Sequence, residues 1–490
     1  MKFINKLLFV SVTGAMLLTS CNRNNPDPVE PEKAKEENDF VWRGLNSWYY
    51  WQEKVPELAD SFKNSAQYVS TINSKTPDAL FYSLLYQYTI VDRNSWIISD
   101  IDKQLANSNG VSKSNGMDFT IYAKVPNGDT KVGIVNYVVP NSPAYTAGIK
   151  RGDVITRVNG ATLNNFNYGQ LLSDSFSVTF AQSASGDPSS GVITTTGEKP
   201  AITLTAVDNL VEHAVAAQQV FTEGNKKIGY LVYNAFQSSD SELVTVFGDL
   251  KGQGVTDLIL DLRYNGGGFV NTAAVLGGLI TGQFSQSPPF VFLDFNKKQA
   301  AQWNEIKPLS SYGNSLNLTN VYVLTSRGTA SASELTIDCL RRYISVITVG
   351  EETYGKFVGS NTIYDSPSMY SEVGRNLSHN WALQPITFAY YNKDRVAPVL
   401  GPGGGLPARY PVQPAEYFGQ LKEFGDRSDV ALDRAIKLIT GELQLPSGSA
   451  VASTRSRGAY SLASGADSFV ASKRTMTPFG TDVYTIPKHK

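Results

Sequence analysis

Histidine and cysteine are nearly missing from this 490-residue chain, which has three His (His213, His379, His489) and two Cys (Cys21, Cys339). Multi-histidine metal centres, cysteine-rich zinc sites and disulfide scaffolds need more ligands than that, so neither a metal nor a cofactor is expected. Hydrolytic chemistry, if present, has to do without a catalytic histidine, because His213 precedes the main apolar segments, His379 lies in a polar stretch and His489 in the tail. An excess of one charge is missing too. With 43 Lys+Arg against 44 Asp+Glu the net charge is −1, which gives no general pull toward nucleic acid. Beyond the first twenty residues there is no long apolar run. What is present, 41% hydrophobic and 11% aromatic residues, argues against disorder throughout. At roughly 150 residues per domain the length suggests about three domains.

The N-terminus carries Lys2 and Lys6 before a mostly apolar stretch from Leu7 to Leu18. That is too short for the roughly 20 residues a membrane span needs but suits a signal peptide. Leu18-Thr19-Ser20-Cys21 follows directly and resembles the bacterial lipobox, which implies acylation of Cys21; the competing reading is an ordinary secretory signal with an incidental cysteine. Cleavage there with acylation of Cys21 would leave Cys339 as the only free thiol, so no internal disulfide is expected. Residues 22–39 are polar, with Pro26, Pro28, Pro31 and several acids, and read as an extended tether.

Trp42, Leu45 and Trp48 or Tyr49 recur at helical spacing, the pattern of a core-facing stripe rather than a ligand-stacking surface. From about residue 96 the texture changes to short alternating runs separated by Gly, Asn and Asp. Within it, Val135 to Val139 reads as a strand, Ser142-Pro143-Ala144 opens a short helix, and Ala147-Gly148-Ile149-Lys150-Arg151-Gly152-Asp153-Val154-Ile155 leads into a strand ending at Asn159-Gly160. This segment resembles a bacterial PDZ domain, and Gly116-Met117-Asp118-Phe119 stands where that family has its carboxylate-binding loop. The resemblance implies peptide capture by strand addition, although Asp118 would repel a terminal carboxylate; a purely structural PDZ is the competing reading.

From about residue 211, apolar strands (256–262, 321–325, 346–350) alternate with helical stretches, the pattern of an α/β sheet between helices. Three segments carry chemistry. Gly328-Thr329-Ala330-Ser331-Ala332-Ser333-Glu334 follows a strand and opens a helix, so Ser331 stands at a helix N-terminus whose free N–H groups favour developing negative charge. Thr353-Tyr354-Gly355-Lys356 follows the next strand. Asp261-Leu262-Arg263-Tyr264-Asn265-Gly266-Gly267-Gly268 is a strand end opening into glycines that permit close backbone approach. A lysine withdrawn from water can act as a base near neutrality, so the three together read as a serine nucleophile, a lysine general base and an oxyanion hole. Glu334 and Asp338 are expected in helix-surface or packing roles, and Cys339 in the core.

These words in this order, with a PDZ ahead of them, resemble the C-terminal processing (tail-specific) protease family. The resemblance covers about residues 40–415 and implies an α/β multidomain protein: a Clp/crotonase-like α/β protease core, an inserted PDZ domain and a small N-terminal helical domain. It makes Ser331 the nucleophile, Lys356 the base, and the N–H groups of Ala332 and Gly267 the oxyanion hole. Asp92-Arg93-Asn94-Ser95 and Gly404-Gly405-Leu406-Pro407 resemble weaker signposts of the family. Two positions depart from it. Ser360 stands where many members have a Gln that orients the lysine, and Arg342 stands where many have Asp.

The expected division is a lipoprotein signal peptide (1–20), a polar tether (21–38), a helical domain (39–95), a PDZ-like domain (96–210), a peptidase core (211–440) and a loosely ordered low-complexity tail (441–490). The resemblance implies a serine endopeptidase lipid-anchored in a bacterial cell envelope, with polypeptide substrates and no nucleic acid. The alternatives are a catalytically silent peptide- or ligand-binding lipoprotein on the same fold, supported by Ser360 and Asp118, and a carbohydrate-uptake lipoprotein, in which the Ser331 and Lys356 motifs would have no role.

Overall fold

The computed structural model describes residues 32–102, 105, 111–188, 190–237, 240–282, 284, 286–446, 469–476 and 483–484. The signal segment, most of the tether and Cys21 lie outside them. Among the described residues no helix is long and apolar enough to cross a membrane.

The core is built on a six-stranded sheet in the spatial order Val215–Glu223, Lys226–Tyr233, Asp257–Asp261, Asn320–Thr325, Ser345–Gly350 and Tyr410–Pro411. The first pair is antiparallel and every later pair parallel. Parallel strands covered on both faces read as continuous apolar runs, and the side chains of these strands divide accordingly. Leu258, Leu260, Val321 and Val323 pack with the helices Asp240–Gly252, Val270–Thr281 and Ala332–Leu340. Ile259, Leu324, Ile347 and Val349 pack on the other side with Leu432, Ala435 and Ile436 of the helix Val430–Thr440. A second, antiparallel sheet orders Glu305–Pro308, Pro289–Phe295, Ile386–Asn392 and Val358–Ser360.

The aromatic stripe near the N-terminus is core, as its spacing suggests. Trp42, Leu45, Trp48 and Tyr49 are buried, on or directly after the helix Glu36–Trp48. They belong to the same apolar cluster as the main sheet's helices, so the helical segment is an extension of the core. Its backbone is also tied there: Tyr50 N–H donates to Ile386 O at 2.8 Å, and Asn296 Nδ2 donates to Tyr49 O at 3.0 Å.

The PDZ forms its own sheet around a separate apolar cluster that includes Met117, Phe119, Ile121, Val135, Ile155 and Val178. Phe418 and Leu421 pack on its outer face with Tyr122, Ile134 and Val154, and a buried arginine adds a polar tie to the core. Arg151 donates to Tyr264 Oη at 2.8 Å and to Lys422 O at 2.6 Å, lies against the rings of Tyr264 and Phe424, and stands 3.6 Å from Asp429. Asp429 in turn accepts two hydrogen bonds at 3.0 Å from Arg263, which also pairs with Asp261 at 2.6 Å. These four side chains are nearly buried.

Two described pieces of the tail, expected to be loosely ordered, pair with strands elsewhere. Phe469–Ser472 is a strand added to the edge of the PDZ sheet, and Val483–Tyr484 pairs with Gly268–Phe269 of the core. Composition pointed to a solvated chain; a sheet edge with unpaired N–H and C=O groups supplies an alternative partner that composition does not register.

Replacing one member of a buried charge network leaves the others uncompensated, at a cost of about 3–5 kcal/mol. Arg263→Ala is therefore expected to lower stability by about that amount, measured as the shift of the first urea-unfolding transition; an unchanged midpoint would remove Arg263 from the elements that hold the core together.

Candidate active site

Ser331 ends the loop that leaves the strand Asn320–Thr325 and precedes the helix Ala332–Leu340. Its backbone lies at φ 62°, ψ −112°, outside the regions comfortable for a residue with a Cβ, and such strain persists only where surrounding contacts fix it. Those contacts are on both sides. Thr329 Oγ1 donates to Leu262 O at 2.8 Å, Ala330 N–H to Asn265 O at 3.0 Å, and Ser333 Oγ to Asn265 O at 3.0 Å. The serine loop is thus stapled to the glycine loop. The Ser331 side chain is fully buried and its Oγ has no hydrogen-bond partner among the described residues.

Lys356 is also buried. The turn that carries it is held by Tyr354 N–H donating to Thr329 O at 2.9 Å, and by an exchange with the Gly404–Leu406 segment. Thr353 N–H donates to Leu406 O at 3.1 Å, and Leu406 N–H to Thr353 Oγ1 at 2.7 Å. Only glycine fits at the close approach: a Cβ on Gly405 would lie 1.9 Å from Thr353 O.

Two groups hold Ser331 and Lys356 jointly. The Glu334 carboxylate, fully buried, accepts from Ser331 N–H at 2.8 Å, Lys356 N–H at 2.8 Å, Gly355 N–H at 2.7 Å and Thr353 Oγ1 at 2.5 Å. On the carbonyl side the Tyr390 hydroxyl reaches Lys356 O at 3.1 Å and Ser331 O at 3.4 Å. Burial pushes the Glu334 carboxyl up, and its four donors act against that, leaving it at about 7.

The remaining expected site residues fall into three places. Ala332 occupies the first helical position, where a backbone N–H has no intrahelical acceptor. Gly267 is in the glycine loop with φ 119°, but its N–H donates to Asn265 Oδ1 at 2.9 Å, so in this state the expected donor is engaged. Ser360 is buried and accepts from Gln384 Nε2 at 3.0 Å. A glutamine is therefore present, one hydrogen bond beyond Ser360 and on another strand, Ala382–Gln384. Met117, Asp118 and Phe119 are built into the PDZ sheet directly after Gly116, with Asp118 buried and accepting from Asn136 Nδ2 at 2.7 Å. Asp338 is buried and accepts from Asn392 Nδ2 at 2.8 Å, while Arg342 stands 3.7 Å from it. Cys339 is a buried free thiol.

Sequence reasoning missed the reach of Glu334, which is a central buried group rather than a surface one, and it missed Asn265, Tyr390 and Gln384. The Ser331-x-x-Glu334 spacing of a capping box was the available signal for the first; Tyr390 and Gln384 come from distant strands and leave no local signature.

Comparison with known families matches residues 227–395 to peptidase family S41, residues 36–96 to the peptidase S41 N-terminal domain and residues 134–173 to a PDZ domain. Residues 36–96 and 227–395 of this chain are thus similar to peptidase family S41. The chain is similar to the chloroplastic C-terminal processing peptidase of Tetradesmus obliquus, 32% identical over 251 residues, which are 47% of this chain and 49% of that protein. It is also similar to the carboxy-terminal processing protease CtpA of Bacillus subtilis, 27% identical over 243 residues, 48% of this chain and 47% of the relative. The chain thus spans about half the length of each. Its fold matches a crystal structure from Bacteroides fragilis described as a candidate S41 protease, with a TM-score of 0.62 and 24% identity over 84% of this chain and 100% of that one. An S41 core, PDZ and N-terminal domain account for the expected fold class.

The raised Glu334 carboxyl has a consequence for stability. The folded protein retains this proton up to about pH 7, whereas an unfolded glutamate releases it near 4.3. Its contribution to stability is therefore complete below that lower value and is lost as pH rises to about 7. Glu334→Gln cannot titrate, so denaturant unfolding at pH 4.5 and 7.5 should show the wild type losing about 3 kcal/mol relative to this variant. Parallel pH dependences would place the titration elsewhere.

Proposed function

We propose that this chain is a serine endopeptidase that cleaves polypeptides with Ser331 as nucleophile and Lys356 as general base. Ser331 Oγ adds to the carbonyl carbon of the scissile peptide as its proton passes to Lys356 Nζ. The ammonium then delivers that proton to the departing amine. Water attacks the acyl-serine, again giving a proton to Nζ, and the ester bond breaks as that proton passes to the leaving Oγ, which restores both side chains. The Ala332 N–H meets the oxyanion, and Gly267 serves as the second donor once its N–H turns from Asn265 Oδ1. Ser360 lies on the strand directly after the lysine turn and, backed by Gln384, is assigned a positioning role.

The observation that carries this reading is the joint clamp. Glu334 binds the amides of Ser331 and Lys356, and Tyr390 their carbonyls, so two residues 25 positions apart in sequence are held as one buried unit. The names of the relatives support polypeptide substrates. The apolar N-terminus and Cys21 support a lipid anchor in a bacterial envelope. A catalytically silent binding protein draws on two features, the Gly267 N–H held by Asn265 and the unpartnered Ser331 Oγ.

Incubation with casein tests the assignment. Wild-type protein is expected to cleave, and Ser331→Ala and Lys356→Ala to lose about a thousandfold or more of that rate. Wild-type protein that is folded, inert on casein and not labelled at Ser331 by a serine-reactive fluorophosphonate would favour the binding protein.

A further inference from the structure

The tail segment Phe469-Val470-Ala471-Ser472-Lys473-Arg474 is a short strand-forming stretch followed by two basic residues. In the structure its strand lies antiparallel to Met117–Ala123, with Phe469 opposite Tyr122, Ala471 opposite Ile121 and Ser472 opposite Thr120. It therefore runs toward the Gly116–Met117 loop in the manner of a peptide added to a PDZ edge. Val470 and Met476 pack on the PDZ core, and the Phe469 ring lies 6.1 Å from that of Tyr122.

At the loop the chain does not end. Lys473 Nζ donates to Met117 O at 2.8 Å. Arg474 donates to Glu212 Oε1 at 2.9 Å and Tyr137 Oη at 2.6 Å, and its Nε stands 3.9 Å from Asp118 Oδ2. The Tyr137 hydroxyl itself donates to Glu212 at 2.5 Å. Two carboxylates, Asp118 and Glu212, thus converge on the place where a free peptide terminus would put a third. Like charges brought together out of water repel, whereas a guanidinium there makes charge-assisted hydrogen bonds. Farther along, the backbone of Val483–Tyr484 lies parallel to Gly268–Phe269, next to the glycine loop.

We propose that the PDZ groove recognises internal polypeptide segments in which a short apolar strand is followed by Lys-Arg, and that the chain's own residues 469–476 occupy it as an intramolecular ligand. Asp118 and Glu212 set this specificity. That such segments are also substrates rests on the peptidase reading above; their binding does not.

The test is a binding measurement on full-length protein carrying Ser331→Ala, so that no hydrolysis intervenes. The probe is a fluorescein-labelled, C-terminally amidated peptide with the sequence of residues 467–476, read by anisotropy. Adding Lys473→Glu and Arg474→Glu to the protein should free the groove and tighten peptide binding at least tenfold. On that protein, a peptide with both basic residues changed to Glu should bind at least tenfold more weakly than the original, a comparison that needs no further protein variant. Asp118→Asn should weaken the original peptide and strengthen the charge-reversed one. Equal binding of the two peptides, tighter binding of a peptide ending in a free carboxylate at Ser472, or no binding at all would overturn the proposal. Because the readout does not depend on cleavage, failure of the peptidase reading would show in the casein experiment and not here.

Discussion

One carboxylate holds the site together. Glu334 receives four donors from two loops, and without it the Ser331 and Lys356 amides would be buried donors lacking their acceptor, each a cost of about 1–3 kcal/mol. The strained Ser331 backbone depends on the same contact, since a positive φ survives only where neighbouring bonds determine it. Tyr390 closes the arrangement from the carbonyl side. The Ser331 and Lys356 backbones therefore share one buried acceptor.

A second carboxylate has a similar standing at the domain boundary. Asp429 begins the helix Val430–Thr440 by accepting from Leu432 N–H at 3.2 Å, and it also receives Arg263 of the core and faces Arg151 of the PDZ. Both arginines hold Asp429 below the usual carboxylate range despite its burial. Helix start, strand end and PDZ orientation are thereby tied to one charge, and the residue following Arg263, Tyr264, begins the turn into the glycine loop. PDZ position and loop position are mechanically connected through adjacent residues.

What was legible in the sequence was what is local. The strands 256–262, 321–325 and 346–350 appear as apolar runs because parallel strands are covered on both faces. The PDZ segment is marked by its turn residues, and Ser331 and Lys356 by their place after strands. Partnerships made across hundreds of residues were not legible: Tyr390 with Ser331, Gln384 with Ser360, Tyr50 with Ile386. The engagement of the Gly267 N–H by Asn265 was hidden for another reason, since a motif states which residues are near one another and not which donor is already bonded. The tail shows the same limit, its strand being specified by an edge elsewhere in the chain.

The separation between the tail and its place in the PDZ also has a temporal side. Lys473 meets Met117 across 356 positions, and Tyr390 joins the serine and lysine turns only after both have been made. During synthesis from the N-terminus, at about 5–20 residues per second, the PDZ strand leaves the ribosome tens of seconds before the segment that covers its edge. The Ser331 and Lys356 turns are likewise made a few seconds before the strand that carries Tyr390. The segment that covers the PDZ edge is therefore synthesised long after the edge itself.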